Sequence, residues 1–130
     1  VEGGLLSYGG DMTRENTPLE CGLGRYASDN QLETCFGGRA LAEEREKGSA
    51  RMIRPVVLDG APVPACDRPW PLMADGKRVG QVTAGAWSPD FEINVSIAMV
   101  DRSHWSPGTK MEAITQDGPR GAVVQEKFWT

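Results

Sequence analysis

Residues 92–101 read EINVSIAMVD, and the alternation is unbroken: Ile93, Val95, Ile97 and Met99 fall on one side of an extended chain, Asn94, Ser96 and Ala98 on the other. A period of two over this length is incompatible with a helix. The run predicts a strand with Ile93, Val95, Ile97 and Met99 facing the interior of a sheet structure. The other side, with Ala98 and Val100, is less polar than a solvated face, which predicts cover from the N-terminal segment.

The surrounding sequence extends the same signal. RMIRPVVLDG (51–60) reads as a strand ending at Asp59-Gly60. PLMADGKRVGQVT (71–83) reads as a hairpin, because Asp75-Gly76 tolerates the positive φ angles of a type I′ turn. KMEAITQDGPRGAVVQEKFW (110–129) reads as a second hairpin turning at Asp117-Gly118. About six strands follow one another from Arg51 onward with no helical period between them, as in small antiparallel barrels and sandwiches. Closure removes exposed edges, so the expected fold is mainly β, a small antiparallel six-stranded barrel.

The first fifty residues differ. Residues 1–36 are rich in glycine and turn formers, above all in SYGGDMTRENTPLECGLGRY (7–26). GRALAEEREK (38–47) predicts one short helix outside the barrel. It carries Arg39–Glu43 and Glu43–Lys47 pairs at i,i+4, and Gly48 sits where a helix-ending glycine belongs. The expected division is therefore 1–50, a loop-rich segment with that helix, and 51–130, the barrel.

Several function classes are disfavoured. A net charge of −4 argues against a nucleic-acid backbone as partner. No apolar run approaches the length of a membrane span, so no membrane partner is expected. Three cysteines, Cys21, Cys35 and Cys66, and one histidine, His104, fit no metal-ligand spacing; no metal is expected. Free thiols point to a reducing, cytoplasmic setting. The chain starts at Val1 without an initiator Met or a signal-like segment, which suggests a piece of a longer chain.

Other features have plain readings. Gly22-Leu23-Gly24-Arg25-Tyr26-Ala27 matches a dinucleotide fingerprint in form only, since no strand precedes it and no helix is expected to open at Ala27. Asp11, Glu15 and Glu20 read as solvated or turn-capping carboxylates. His104 and Cys21 lack an orienting partner in sequence, so neither reads as catalytic. Trp70, Trp87, Trp105 and Trp129 fall at or near strand ends and read as core plugs or stacking surfaces. GAWSPDF (85–91) is the best stacking candidate.

EGGLLSYGGDM, TPLECGLGRY, FGGRAL, GKRVGQVTAGAWSPDF and SIAMVD occur in the order and spacing of the C-terminal part of the glycine-cleavage T-protein (aminomethyltransferase) family, which the chain resembles over essentially its whole length. Within that family, PACDRPWPL, AWSPDF and VVQEKFW are more similar to the branch of dimethylsulfoniopropionate (DMSP) demethylases. The resemblance implies a C-terminal barrel and, before it, the end of a folate-binding domain. It implies the C-terminal portion of a tetrahydrofolate-dependent methyltransferase that moves a methyl group from DMSP to tetrahydrofolate. Aminomethyl transfer in glycine cleavage, another folate-dependent demethylation and a non-catalytic barrel module are the alternatives. The catalytic residue is expected upstream of Val1. The folate-contacting residues implied are Tyr8, Glu2, Trp87 and Ser88. The partners implied are the N-terminal part of the same enzyme and a small methyl donor, and a homodimer is an admissible assembly. TAG stands at 83–85 where the family has T-S-G.

Overall fold

A computed structural model describes all 130 residues. Strands β1 (Arg51–Leu58), β2 (Trp70–Ala74), β3 (Lys77–Ser88), β4 (Ile93–Asp101), β5 (Lys110–Thr115) and β6 (Gly118–Val124) pair antiparallel and close in the order β1-β4-β3-β2-β5-β6. The six-stranded barrel of the sequence reading is therefore present. Its β2–β3 turn is of the expected kind, with φ 49° at Asp75 and 74° at Gly76. The β5–β6 turn falls one residue earlier than expected, at Gln116-Asp117. Neither of those two has a positive φ; Gly118 supplies it, at 109°, and pairs with Thr115.

The barrel interior takes two buried residues from every strand: Val56 and Leu58, Trp70 and Leu72, Val79 and Val82, Ala98 and Val100, Met111 and Ala113, Ala122 and Val124. This reverses the predicted facing of β4. Ala98 and Val100 point inward, on the side of Asn94 and Ser96, while Ile97 and Met99 point outward and pack with Ile53. The reversal has a physical cause. Both faces of β4 are covered, and seven consecutive residues, Asn94 to Val100, are buried. The inward polar groups are satisfied. Ser96 donates to the Val56 carbonyl at 2.7 Å, and the Asn94 amide donates to Gly60 and Ala61 and accepts from the Val63 N–H. With its polar residues bonded inside and its larger apolar ones under cover outside, alternation alone cannot say which side is in.

The outer cover is a strap formed by the N-terminal segment and the end of the chain. Leu6 and Phe128 pack on Ile53, Ile97 and Met99. The Ile53 N–H donates to the Glu20 carbonyl at 2.7 Å, and the Trp129 N–H donates to the Glu2 carbonyl at 3.0 Å. A bulge in β3 between Val82 and Ala84 turns Thr83 out of register toward this strap.

Two helices lie outside the barrel: α1 (Asp29–Thr34), which the sequence reading did not assign, and α2 (Gly38–Lys47), which it did. Ser28 and Gln31 close a capping box on α1. A helix thus does open two residues past Ala27. The segment before Gly22 is turn rather than strand, so the dinucleotide fingerprint still lacks its setting. Gly48 ends α2 at φ 82° as expected. Arg39–Glu43 forms at 3.3 Å on the surface, while Glu43–Lys47 does not form. Arg102, just past β4, donates to the carbonyls of Lys47 and Ser49 and ties the end of α2 to the barrel.

Candidate functional site

The strap is held by two of the carboxylates that read from sequence as solvated or turn-capping. Asp11 and Glu20 are buried. Asp11 accepts from the Ser7 N–H at 2.8 Å and from the Thr83 hydroxyl at 2.6 Å. Glu20 accepts from the Thr17 N–H and pairs with Arg51 at 3.1 Å. The turn-capping half of the expectation holds, and both groups also fasten the segment to the barrel. Their position fixes the backbone of Ser7–Met12, where the Gly9 N–H donates to the Met12 carbonyl and the Asp11 N–H to Ser7.

That turn presents Tyr8, 69% exposed, as a free ring on the surface. Glu2 lies half-buried at the start of the strap, where its carbonyl accepts from Trp129. Trp87 and Ser88 lie elsewhere, at the far end of β3 beside the Pro89–Glu92 loop. Trp87 is 37% exposed and Phe91 41%, so the hairpin tip carries two accessible rings. The Ser88 side chain is buried, and its hydroxyl accepts from the Phe91 N–H to close the loop. Of the other tryptophans, Trp70 is core, Trp105 packs partly against the core, and Trp129 meets Phe128 edge-on.

A cavity of about 590 Å³ opens beside the strap. Gly3 to Leu6, Met12, Cys21 to Leu23, Arg25, Tyr26, Ile53, Lys127, Phe128 and Thr130 line it. None of Tyr8, Glu2, Trp87 and Ser88 does, although Glu2 adjoins the lining residue Gly3 in the chain. Sequence reasoning did not single out Arg25, Tyr26, Lys127 or Phe128 as site residues. Arg25 and Tyr26 were visible as neighbours, and they do interact: the guanidinium donates to the Tyr26 hydroxyl at 2.8 Å and stacks 4.8 Å from the ring centroid.

Nucleophilic chemistry finds little support here. Burial pushes the Cys21 thiol up, with Glu20 adding to the effect, and pushes Cys66 up to about 11, with Asp11 and Asp67 adding. Both are neutral thiols at neutral pH. The His104 ring bonds only to its neighbour Ser103, and no group of three metal-binding side chains converges.

The family model for the glycine cleavage T-protein C-terminal barrel domain matches residues 51–129, from the first residue of β1 through β6 to the strap. The chain belongs to the glycine cleavage T-protein family. The T-protein barrel accounts for its strand order, and the match of relatives runs through the N-terminal segment too. The chain is 57% identical over 129 residues to the dimethylsulfoniopropionate demethylase DmdA of Ruegeria pomeroyi, covering 99% of this chain and 35% of the relative. It is 30% identical to an aminomethyltransferase of Caldanaerobacter subterraneus, covering 97% and 33%. The crystal structure of the glycine cleavage system aminomethyltransferase T from Bartonella henselae superposes with a TM-score of 0.86 at 25% identity, covering 99% of this chain and 36% of that one. The chain thus spans about a third of the length of the T-protein relatives it matches. No helix in it is long and apolar enough to cross a membrane.

Proposed function

We propose that this chain is the C-terminal part of a tetrahydrofolate-dependent demethylase acting on DMSP. The observation that carries the reading is the 57% identity to the Ruegeria pomeroyi demethylase over 129 residues, against 30% to the aminomethyltransferase. Residues 1–50 would close a folate-binding domain and residues 51–130 form the barrel that backs it. The reaction breaks one methyl–sulfur bond of the sulfonium, leaving the electron pair on sulfur as methylthiopropionate. A bond forms from that methyl to the N5 nitrogen of tetrahydrofolate, which gives up its proton. A sulfonium is already an activated leaving group, so holding donor and acceptor in line supplies much of the rate. Such a transfer needs no nucleophile from the protein, in keeping with the neutral thiols of Cys21 and Cys66.

On this reading the catalytic residue lies in the further length that the relatives possess, which is also the expected partner of this chain. Tyr8 and Trp87 are the accessible rings proposed to meet the folate, with Glu2 beside the channel; Ser88 would act by shaping the loop that carries Trp87. The unpaired thiols of Cys21, Cys35 and Cys66 support a cytoplasmic setting. The test is 5-methyltetrahydrofolate formation from DMSP, run on the complete coding sequence, on residues 1–130 and on Tyr8→Ala in the complete enzyme. Turnover is expected from the complete enzyme alone. Tyr8→Ala should weaken the use of tetrahydrofolate with little loss of stability, because an exposed ring has few packing neighbours. A complete enzyme that ignores DMSP and accepts the aminomethyl intermediate of glycine cleavage would move the assignment to that reaction.

A further inference from the structure

Tyr8 is an exposed ring, so few neighbours hold it and the backbone beneath decides where it points. Three backbone bonds shape that turn. The Gly9 N–H donates to the Met12 carbonyl at 2.8 Å, and the N–H groups of Asp11 and Met12 donate to the Ser7 carbonyl at 2.9 and 3.3 Å. All three close the turn on itself, and none reaches the barrel. The adjacent Leu6 packs on Ile53, Ile97 and Met99, a contact without direction. Orientation comes from one buried side chain. Asp11 accepts from the Ser7 N–H through one carboxylate oxygen, at 2.8 Å, and from the Thr83 hydroxyl through the other, at 2.6 Å. The second is the single hydrogen bond between residues 7–12 and the barrel. Its donor is itself held. The β3 bulge turns Thr83 out of register, and the Cys66 thiol, in the segment before β2, donates to the Thr83 carbonyl at 3.7 Å. A carboxylate makes stronger bonds than a neutral acceptor, so turn and bulge are held as one unit.

We propose that Asp11 and Thr83 are positioning residues for tetrahydrofolate: their bond sets the direction from which Tyr8 meets it, with neither side chain touching it. This rests on the reading above that Tyr8 meets the folate, and it extends that reading from the strap to the barrel. The oxygens of Asp11 are already taken by Ser7 and Thr83, so the aspartate acts through the backbone it holds. An exposed ring on a turn that can tilt spends part of its time out of line, and contact with a flat ligand is lost with alignment. Strand β3 thereby becomes a determinant of how well the folate is held, although its Thr83 lies 75 residues from Tyr8 in the sequence.

The test is calorimetric binding of tetrahydrofolate to the complete enzyme. Tyr8→Ala gives the reference loss. Thr83→Val keeps the shape of the side chain and removes the donor; it should weaken binding about threefold to tenfold, the range set by one hydrogen bond. Thr83→Ser keeps the hydroxyl and should keep the affinity. In the Tyr8→Ala background Thr83→Val should cause no further loss, because its effect passes through the ring. An affinity unchanged in Thr83→Val, with only the unfolding midpoint lowered, makes the bond purely structural and overturns the proposal. A loss that adds in full to that of Tyr8→Ala also overturns it. If Thr83→Val melts below the temperature of the titration, Asp11→Asn, which keeps the shape and weakens both bonds, carries the same comparison with a smaller loss expected. A Tyr8→Ala enzyme that binds tetrahydrofolate as the wild type does overturns the folate role of Tyr8 and this proposal with it, whereas a Tyr8→Ala loss with no Thr83→Val loss overturns this proposal alone.

Discussion

Asp11 and Thr83 are 72 positions apart in sequence and 2.6 Å apart in the fold. Nothing in GGDMTREN announces that its aspartate is buried, because the partner belongs to a bulge in a distant strand. Thr83→Val would keep the shape and remove the donor, leaving one oxygen of a buried carboxylate unsatisfied. A loss of about 1–3 kcal/mol is expected, read from the urea unfolding midpoint. Cys66 gives a second prediction at this scale. Its thiol is raised from 9.0 to about 11, chiefly by burial. Below pH 9 folded and unfolded states both hold the proton. Between pH 9 and about 11 the unfolded state releases it while the folded state keeps it, so stability falls as pH rises through that window. Unfolding midpoints measured from pH 8 to about 11 should decline less steeply in Cys66→Ala than in the wild type.

Strand β4 shows what alternation contains and what it omits. EINVSIAMVD correctly indicated a strand, its length and its two distinct sides. The direction of the interior depended on what lies over the outer face, and that cover comes from Leu6 and Phe128 at opposite ends of the chain. Ile97→Ala should therefore cost about 2–4 kcal/mol although the side chain lies outside the barrel, since it is 1% exposed. Ala98→Leu, one position on, should also destabilise, by about 1–3 kcal/mol, because Ala98 is 0% exposed and points into a filled interior. Equal tolerance of both by chemical denaturation would contradict the double burial. The missed helix α1 has a different cause. Six residues are too few to show a period, and the available signal was the capping pair Ser28–Gln31 rather than any apolar stripe. The two hairpins were legible because glycine at a positive φ marks a turn, and the one-residue offset at Gln116-Asp117 reflects a different turn with its glycine in the next position.

At the scale of the whole molecule, the barrel was readable from residues 51–130, and the strap only as an N-terminal cover over β4, expected on the Ala98 and Val100 side and found on the Ile97 and Met99 side. A barrel is specified by local repeats of strand and turn, whereas the strap depends on contacts between the two ends of the chain. The same holds for the candidate site. Tyr8, Glu2 and Trp87 came from resemblance to a family, while the cavity with Arg25 and Lys127 exists only once residues near both ends meet. Exposed large apolar side chains are concentrated accordingly. Val1, Leu5, Tyr8, Tyr26 and Phe36 all precede the barrel, which itself shows only Trp87 and Phe91. The former lie in the segment that precedes the barrel, in a chain whose relatives are about three times as long.

The hydrogen bond from Trp129 to Glu2, at 3.0 Å, joins the second residue to the second-last. Such a molecule is topologically a loop with a small gap. A short glycine linker across that gap, with new termini cut between Asp75 and Gly76, should give a circular permutant with the same barrel. Its circular dichroism should match that of the parent, and its unfolding should remain a single transition.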